Sequence, residues 1–252
     1  MNKYRNTRSN YDKFPATETS GRIWRGWEEI GCEITRRTTD KRALLVLDTY
    51  HGVHDTELTE VLTRLWPEAE LIRTEELFYD EKQIRSMTEP YVTDDEIFGY
   101  LSPLGIADYF EPQRLHDARE RIRLRIRSTI VYGCGAGYVA PNADLTLYAD
   151  MARWEIQQRF RAHSIHGLGV DNSAESPARQ YKRGYFNDWP LLDNHKKSLY
   201  NRVDYWIDTH HPGRPLMIAA ETFMQGIERT VRRPFRVVPF FDPAPWGGQW
   251  MK

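Results

Sequence analysis

Residues 41–50 read KRALLVLDTY, and this stretch decides the fold. Five apolar residues in succession, Ala43 to Leu47, stand between charged neighbours and end at Asp48. A run this short and continuous predicts a strand buried on both faces, the signature of a parallel sheet. The next stretch, HDTELTEVLTRLWP, places Leu58, Val61, Leu62 and Leu65 at helical spacing behind an acidic first turn and stops at Pro67.

Working outward, AELIRTEELF reads as a second strand, and Met87 to Phe110 as an insertion of short helices. QRLHDARERIRLRIR reads as a basic helix, STIVYGCGAG as a third buried strand, DLTLYAD as a fourth, and MARWEIQQRFRAH as the helix after it. HGLGVDNSAESPARQ has the composition of a mobile loop. SLYNRVDYWIDT, PLMIAAETFMQGIERTV and FRVVPFF are expected to close the domain as strand, helix and strand. Strands alternating with helices predict a three-layer α/β fold, a mainly parallel sheet with helices on both faces. The expected organisation is an N-terminal arm over residues 1–40, an α/β domain over 41–241, and a linker over 242–252.

Composition excludes several classes. The 35 basic and 36 acidic residues nearly balance, which argues against nucleic-acid binding or attachment to an anionic membrane. No apolar run approaches the roughly 20 residues that span a bilayer, and the first residues lack a signal peptide's apolar stretch, so a cytoplasmic location is expected. Cys32 and Cys134 have no metal-ligand spacing and read as reduced thiols.

In parallel sheets ligands bind beyond the carboxyl ends of the strands. After the first strand, a phosphate loop requires GxxxxGK[ST], so that glycine amides wrap the phosphates and lysine neutralises them. DTYHGVHDTEL offers Gly52 alone and no lysine. The loop is degenerate, and kinase chemistry by the usual route is not expected. Asp48, His51 and His54 remain candidates for acid/base work, or else a turn cap and solvent-facing imidazoles. Gly133, Gly135 and Gly137 of YGCGAG read either as a partial dinucleotide fingerprint or as a tight strand exit. Arg159 and Arg161, with Lys182 and Arg183, are the candidate phosphate clamp, as cations from a helix and a facing segment often are.

The order of elements resembles the uridine-kinase-like branch of P-loop kinases, with LLVLDTY where the phosphate loop stands. The local words NYDKFP, GWEEI, YADMARWEIQQR, RGYFNDW, DNHKK and PFRVVPFFDPAPWGGQWMK resemble the N-terminal region of long bacterial class I mannose-6-phosphate isomerase-like proteins. In that family an α/β module precedes a cupin isomerase domain, which PWGG introduces. The resemblance implies an accessory domain that binds a sugar phosphate or nucleotide and works with a cupin isomerase domain or subunit. It also implies that zinc belongs to the cupin. The family's Gln-x-His ligand pair has no counterpart here, since Gln249 is followed by Trp250 and Met251. No cofactor or metal is therefore expected in this chain. A homo-oligomer and an independent small-molecule phosphotransferase with Asp48 as base are the open alternatives. Four aromatics, Phe240, Phe241, Trp246 and Trp250, with Pro243 and Pro245 among them, suggest a contact surface at the end of the chain.

Overall fold

The strand beginning at the apolar run lies at the centre of the sheet. The computed structural model describes residues 16–233, in which this strand, β2, runs Leu44–Thr49, entirely buried. It is flanked on both sides by parallel partners, β4 (Thr129–Gly133) and β5 (Leu145–Asp150). β3 (Glu70–Arg73) adds outside β4, and β6 (Tyr205–Asp208) outside β5, both parallel. The sheet is completed by β7 (Leu216–Ala219) and β1 (Ile23–Arg25), each antiparallel to its neighbour, in the order β1-β7-β6-β5-β2-β4-β3. The expected α/β sheet is thus mainly parallel, with an antiparallel edge.

Alternation along β2 sorts its side chains to two helical layers. Leu45 and Leu47 meet α1 (Gly26–Arg37) and α2 (Asp55–Leu65), whose Trp27, Ile30, Val61 and Leu62 enclose the same apolar space. Asp48 faces the opposite layer, where α8 (Trp189–Leu199) lies. The helix α2 forms where its pattern predicts, and its last turn ends at Trp66, before Pro67.

Three departures from the sequence reading have physical causes. Residues 21–40, expected as an arm, form β1 and α1, and they belong to the same compact unit, Gly21–Ala220, as the sheet. Trp24 of β1 packs edge-on against Tyr205 of β6, with ring centres 5.4 Å apart. Leu216–Ala219, expected as the start of a helix, is β7, because pairing with both β6 and β1 overrides the helical preference of Leu, Met and Ala. The segment read as a mobile loop is packed. Leu168 and Val170 are buried, and the Gly167 amide donates to Asn172 Oδ1 at 2.7 Å. Gly169 needs its φ of +65°, since a Cβ there meets Ile84 at 2.4 Å.

The remaining connections are a 3₁₀ turn over Thr74–Leu77, α3 (Glu81–Val92), a 3₁₀ turn over Ile106–Tyr109, α4 (Pro112–Arg123), α5 (Ala136–Val139), α6 (Arg153–Arg161) and α7 (Pro177–Arg183). The Met87 to Phe110 insertion is therefore the end of α3, irregular chain and one 3₁₀ turn. A π turn over Gly184–Asp188 joins α7 to α8. RGYFNDW is packed accordingly, with Asn187, Asp188 and Trp189 buried.

The second unit comprises residues 1–20 and 221–252. Its described part is residues 16–20 alongside α9 (Ala220–Val231), held by bonds such as Ser20 Oγ to Gln225 Oε1 at 3.1 Å. The expected strand FRVVPFF, the PWGG segment and the aromatic surface at residues 240–250 lie outside the described residues.

Candidate functional site

A cleft of about 190 Å³ opens beyond the carboxyl ends of β2, β3 and β4. Each wall follows from where a strand stops. β2 exits into Tyr50–His54, which turns at Gly52, with φ of +88°, and delivers His54 and Asp55 to the start of α2. β3 exits through Arg73 into Thr74 and Glu75. β4 exits at Gly133, with φ of +109°, where a Cβ would lie 2.3 Å from Thr74 Oγ1. The segment 164–169 closes the fourth side.

The charges in this cleft come from one connected group. Arg73 Nη2 donates to Asp55 Oδ2 at 3.0 Å and also pairs with Glu75. Burial pushes the Asp55 carboxyl above its ordinary value, and the neighbouring Arg73 offsets part of this. Arg73 Nε is buried with no partner among the described residues. His166 Nε2 stands 3.9 Å from Glu75 Oε1. Burial, with Arg159 nearby, pushes the His54 imidazole down, which favours its neutral form. Cys134, a free thiol, also lines the cleft, and burial pushes it well up, away from the reactive thiolate.

The residues singled out from the sequence have other partners. Asp48 is fully buried on the other face of the sheet. Its Oδ1 accepts from the Gly135 amide at 3.3 Å, and its Oδ2 from the Gly137 amide and His195 Nε2, both at 2.7 Å. The amides of YGCGAG, the groups a nucleotide fingerprint would present to phosphate, are thereby occupied by the protein's own carboxylate. His51 lines the cleft, yet both ring nitrogens are engaged: Trp189 Nε1 donates to Nδ1 at 3.1 Å, so Nε2 carries the proton and donates to the His166 carbonyl at 2.8 Å. Burial lowers its pKa, which keeps it neutral.

Of the four candidate clamp cations, Lys182 and Arg183 line one groove of about 610 Å³, together with Arg85 and Arg179, whereas Arg159 and Arg161 do not line it. Arg159 is buried, and its guanidinium donates to the carbonyls of Gly52 at 2.7 Å and of Thr209 and His210 at 3.2 Å each. It ties the loop after β2 to the loop after β6. Arg161 is exposed. Lys182 donates to the carbonyls of Thr93 and Asp95. Arg183 donates to Thr88 Oγ1 at 2.9 Å and lies 3.5 Å from Asp188. Arg159, Lys182 and Arg183 are thus cations that satisfy backbone and carboxylate groups, the arrangement buried charge requires.

His51 and His54, singled out from the sequence, do line the cleft; of its other polar residues, Asp55, Arg73 and Glu75 fall in stretches that read as helix and strand, and His166 in one that reads as a loop. Asp55 served as the acid of a helix first turn, and Arg73 and Glu75 as the end of a strand. Applying the carboxyl-end rule to the second strand as well as the first would have raised Arg73 and Glu75. No such rule points to His166 or His195. Among the described residues, no group of three His, Cys, Asp or Glu side chains converges as metal ligands, and no helix is long and apolar enough to cross a membrane.

No curated protein matches the chain. Among solved structures, a gluconokinase from Sinorhizobium meliloti 1021 is similar at 14% identity over 76% of this chain and 93% of that chain, with a TM-score of 0.36. A similarity that low assigns no activity. The family model described as "Domain of unknown function (DUF8485)" matches residues 26–232, from the start of α1 to the end of α9, and the chain belongs to that family.

Proposed function

We propose that this chain is an accessory α/β domain that binds a small ligand in the β2–β4 cleft and does not transfer phosphoryl groups. The observation behind this reading is the occupation of Asp48 and of the Gly135 and Gly137 amides by one another. Phosphoryl transfer depends on positioned donors and cations around the transferring group. Here the glycine amides after β4 are used internally, no lysine follows β2, and the start of α2 carries Asp55, whose charge opposes an approaching phosphate.

The expected result is that purified chain, with ATP and a panel of sugars and nucleosides, shows no turnover in the range of about 1 to 100 per second typical of kinases. A phosphorylated product formed at such a rate, and lost in Asp48→Asn with the fold intact, would establish the phosphotransferase instead.

The local words shared with mannose-6-phosphate isomerase-like proteins support a place beside a cupin isomerase, whose own residues would hold the zinc. Co-expression with a cupin isomerase of the same genome is expected to yield a complex whose mass by light scattering equals the sum of the two chains. Two separate species at their individual masses would remove the cupin partnership and leave the ligand-binding reading in place.

A further inference from the structure

We propose that the β2–β4 cleft recognises an uncharged vicinal diol, as carried by a sugar ring or a ribose, and selects against its phosphate ester. This inference rests on the reading that the cleft is the ligand site, and it names the chemistry of the ligand.

Three observations converge on it. The first is size. The cleft's volume of about 190 Å³ lies below the roughly 300–1,000 Å³ of sites for drug-sized ligands, which suits a single small ring.

The second is the balance of charge. Arg73 is the one arginine or lysine lining the cleft among the described residues, and it is shared by Asp55 and Glu75. The group therefore carries a formal charge of one negative, and the nearest buried cations are committed elsewhere, Arg159 to three carbonyls and Arg183 to Thr88 and Asp188. The adjoining open groove of about 490 Å³ shares Glu75 and His166 with the cleft and adds Asp171 and Glu81, the latter paired with Arg85, again with no lysine or arginine in its lining. A phosphate dianion placed here meets net negative charge in a partly desolvated site, where like charges repel more strongly than in water.

The third is the kind of hydrogen bond on offer. An ionised carboxylate has about four acceptor positions and no donor. Arg73 supplies one hydrogen bond to each carboxylate, and Asp55 is sufficiently desolvated that its carboxyl is pushed upward. Hydroxyl groups complete such carboxylates without adding charge, and two adjacent hydroxyls match two carboxylates held on one guanidinium. Thr74 and His166 offer further polar contacts. Val53, Phe78 and Ile165 supply an apolar wall for the less polar face of a ring.

The test is calorimetric titration of the whole chain with uncharged hexoses, with nucleosides, and with the phosphate esters of both. At least one uncharged compound is expected to bind, with its phosphate ester at least about tenfold weaker, and the hexose and nucleoside arms identify the source of the diol. Asp55→Asn and Glu75→Gln are each expected to weaken that binding by about tenfold or more, in line with a lost charge-assisted hydrogen bond. His166→Gln, at a partly exposed position, is the second variant should Asp55→Asn fail to fold, with a weakening of several-fold expected. Tighter binding of the phosphate esters, binding unchanged in Glu75→Gln and His166→Gln, or no binding in either arm overturns the proposal. ATP turnover by a chain that does bind an uncharged diol would sink the non-phosphorylating reading and leave diol recognition standing.

Discussion

Asp48→Ala is expected to lower the melting temperature by on the order of 10 °C, read by circular dichroism at neutral pH. Asp48 is completely buried and is the shared acceptor for His195 and the amides of Gly135 and Gly137. Removing one partner of a buried, hydrogen-bonded group of this kind costs about 3–5 kcal/mol, because the donors left behind have lost their water and gain nothing in return. For a domain of this size each kcal/mol moves the transition by about 2–4 °C. Gly135 sits at φ of +83°, and a Cβ there would lie 2.7 Å from Ile106, so the turn has little freedom to find a substitute acceptor. Asp48→Asn keeps the shape and one acceptor and should fall between the two. A melting temperature unchanged in Asp48→Ala would show that this carboxylate does not hold the β4 exit, and would restore it as a candidate base.

The second large effect is expected at Arg159. Arg159→Ala strips the partners from the carbonyls of Gly52, Thr209 and His210, and leaves Glu155, 3.2 Å from Arg159 Nε, with His210 at 3.6 Å in place of the arginine. Each buried polar group left unsatisfied costs about 1–3 kcal/mol. A loss of about 3 kcal/mol in denaturant unfolding is the expected sum after partial relaxation. Arg161→Ala, two residues on at an exposed position, is the internal control and should stay within about 0.5 kcal/mol of the parent. Equal effects at the two positions would mean that Arg159 acts as a surface charge. The contrast matters for function, because the loop that Arg159 anchors through Gly52 is also the loop that delivers His54 and Asp55 to the cleft.

The apolar run Ala43 to Leu47 determined by itself that a doubly buried strand lies there, since five successive apolar side chains need cover on every side and a run this short, bounded by charge, has a strand's length and not a buried helix's. The spacing of Leu58, Val61 and Leu62 determined α2, and the absent lysine and glycines determined that no phosphate loop follows β2. These are local properties, visible wherever burial repeats with the period of one element. Tertiary structure alone decided that β1 and β7 pair antiparallel at the edge, because four residues such as Leu216–Ala219 are compatible with helix or strand until β6 and β1 supply their hydrogen bonds. It also decided what each charge does. Arg159 and Arg73 are alike in sequence, each a basic residue near acidic neighbours. The first meets three backbone carbonyls inside the protein, and the second meets Asp55 and Glu75 at the wall of a cleft. A charged side chain takes its role from whatever the fold sets within about 3 Å of it, and those partners, from α2, from the turn after β3 and from the 164–169 segment, are brought together only when the sheet is assembled.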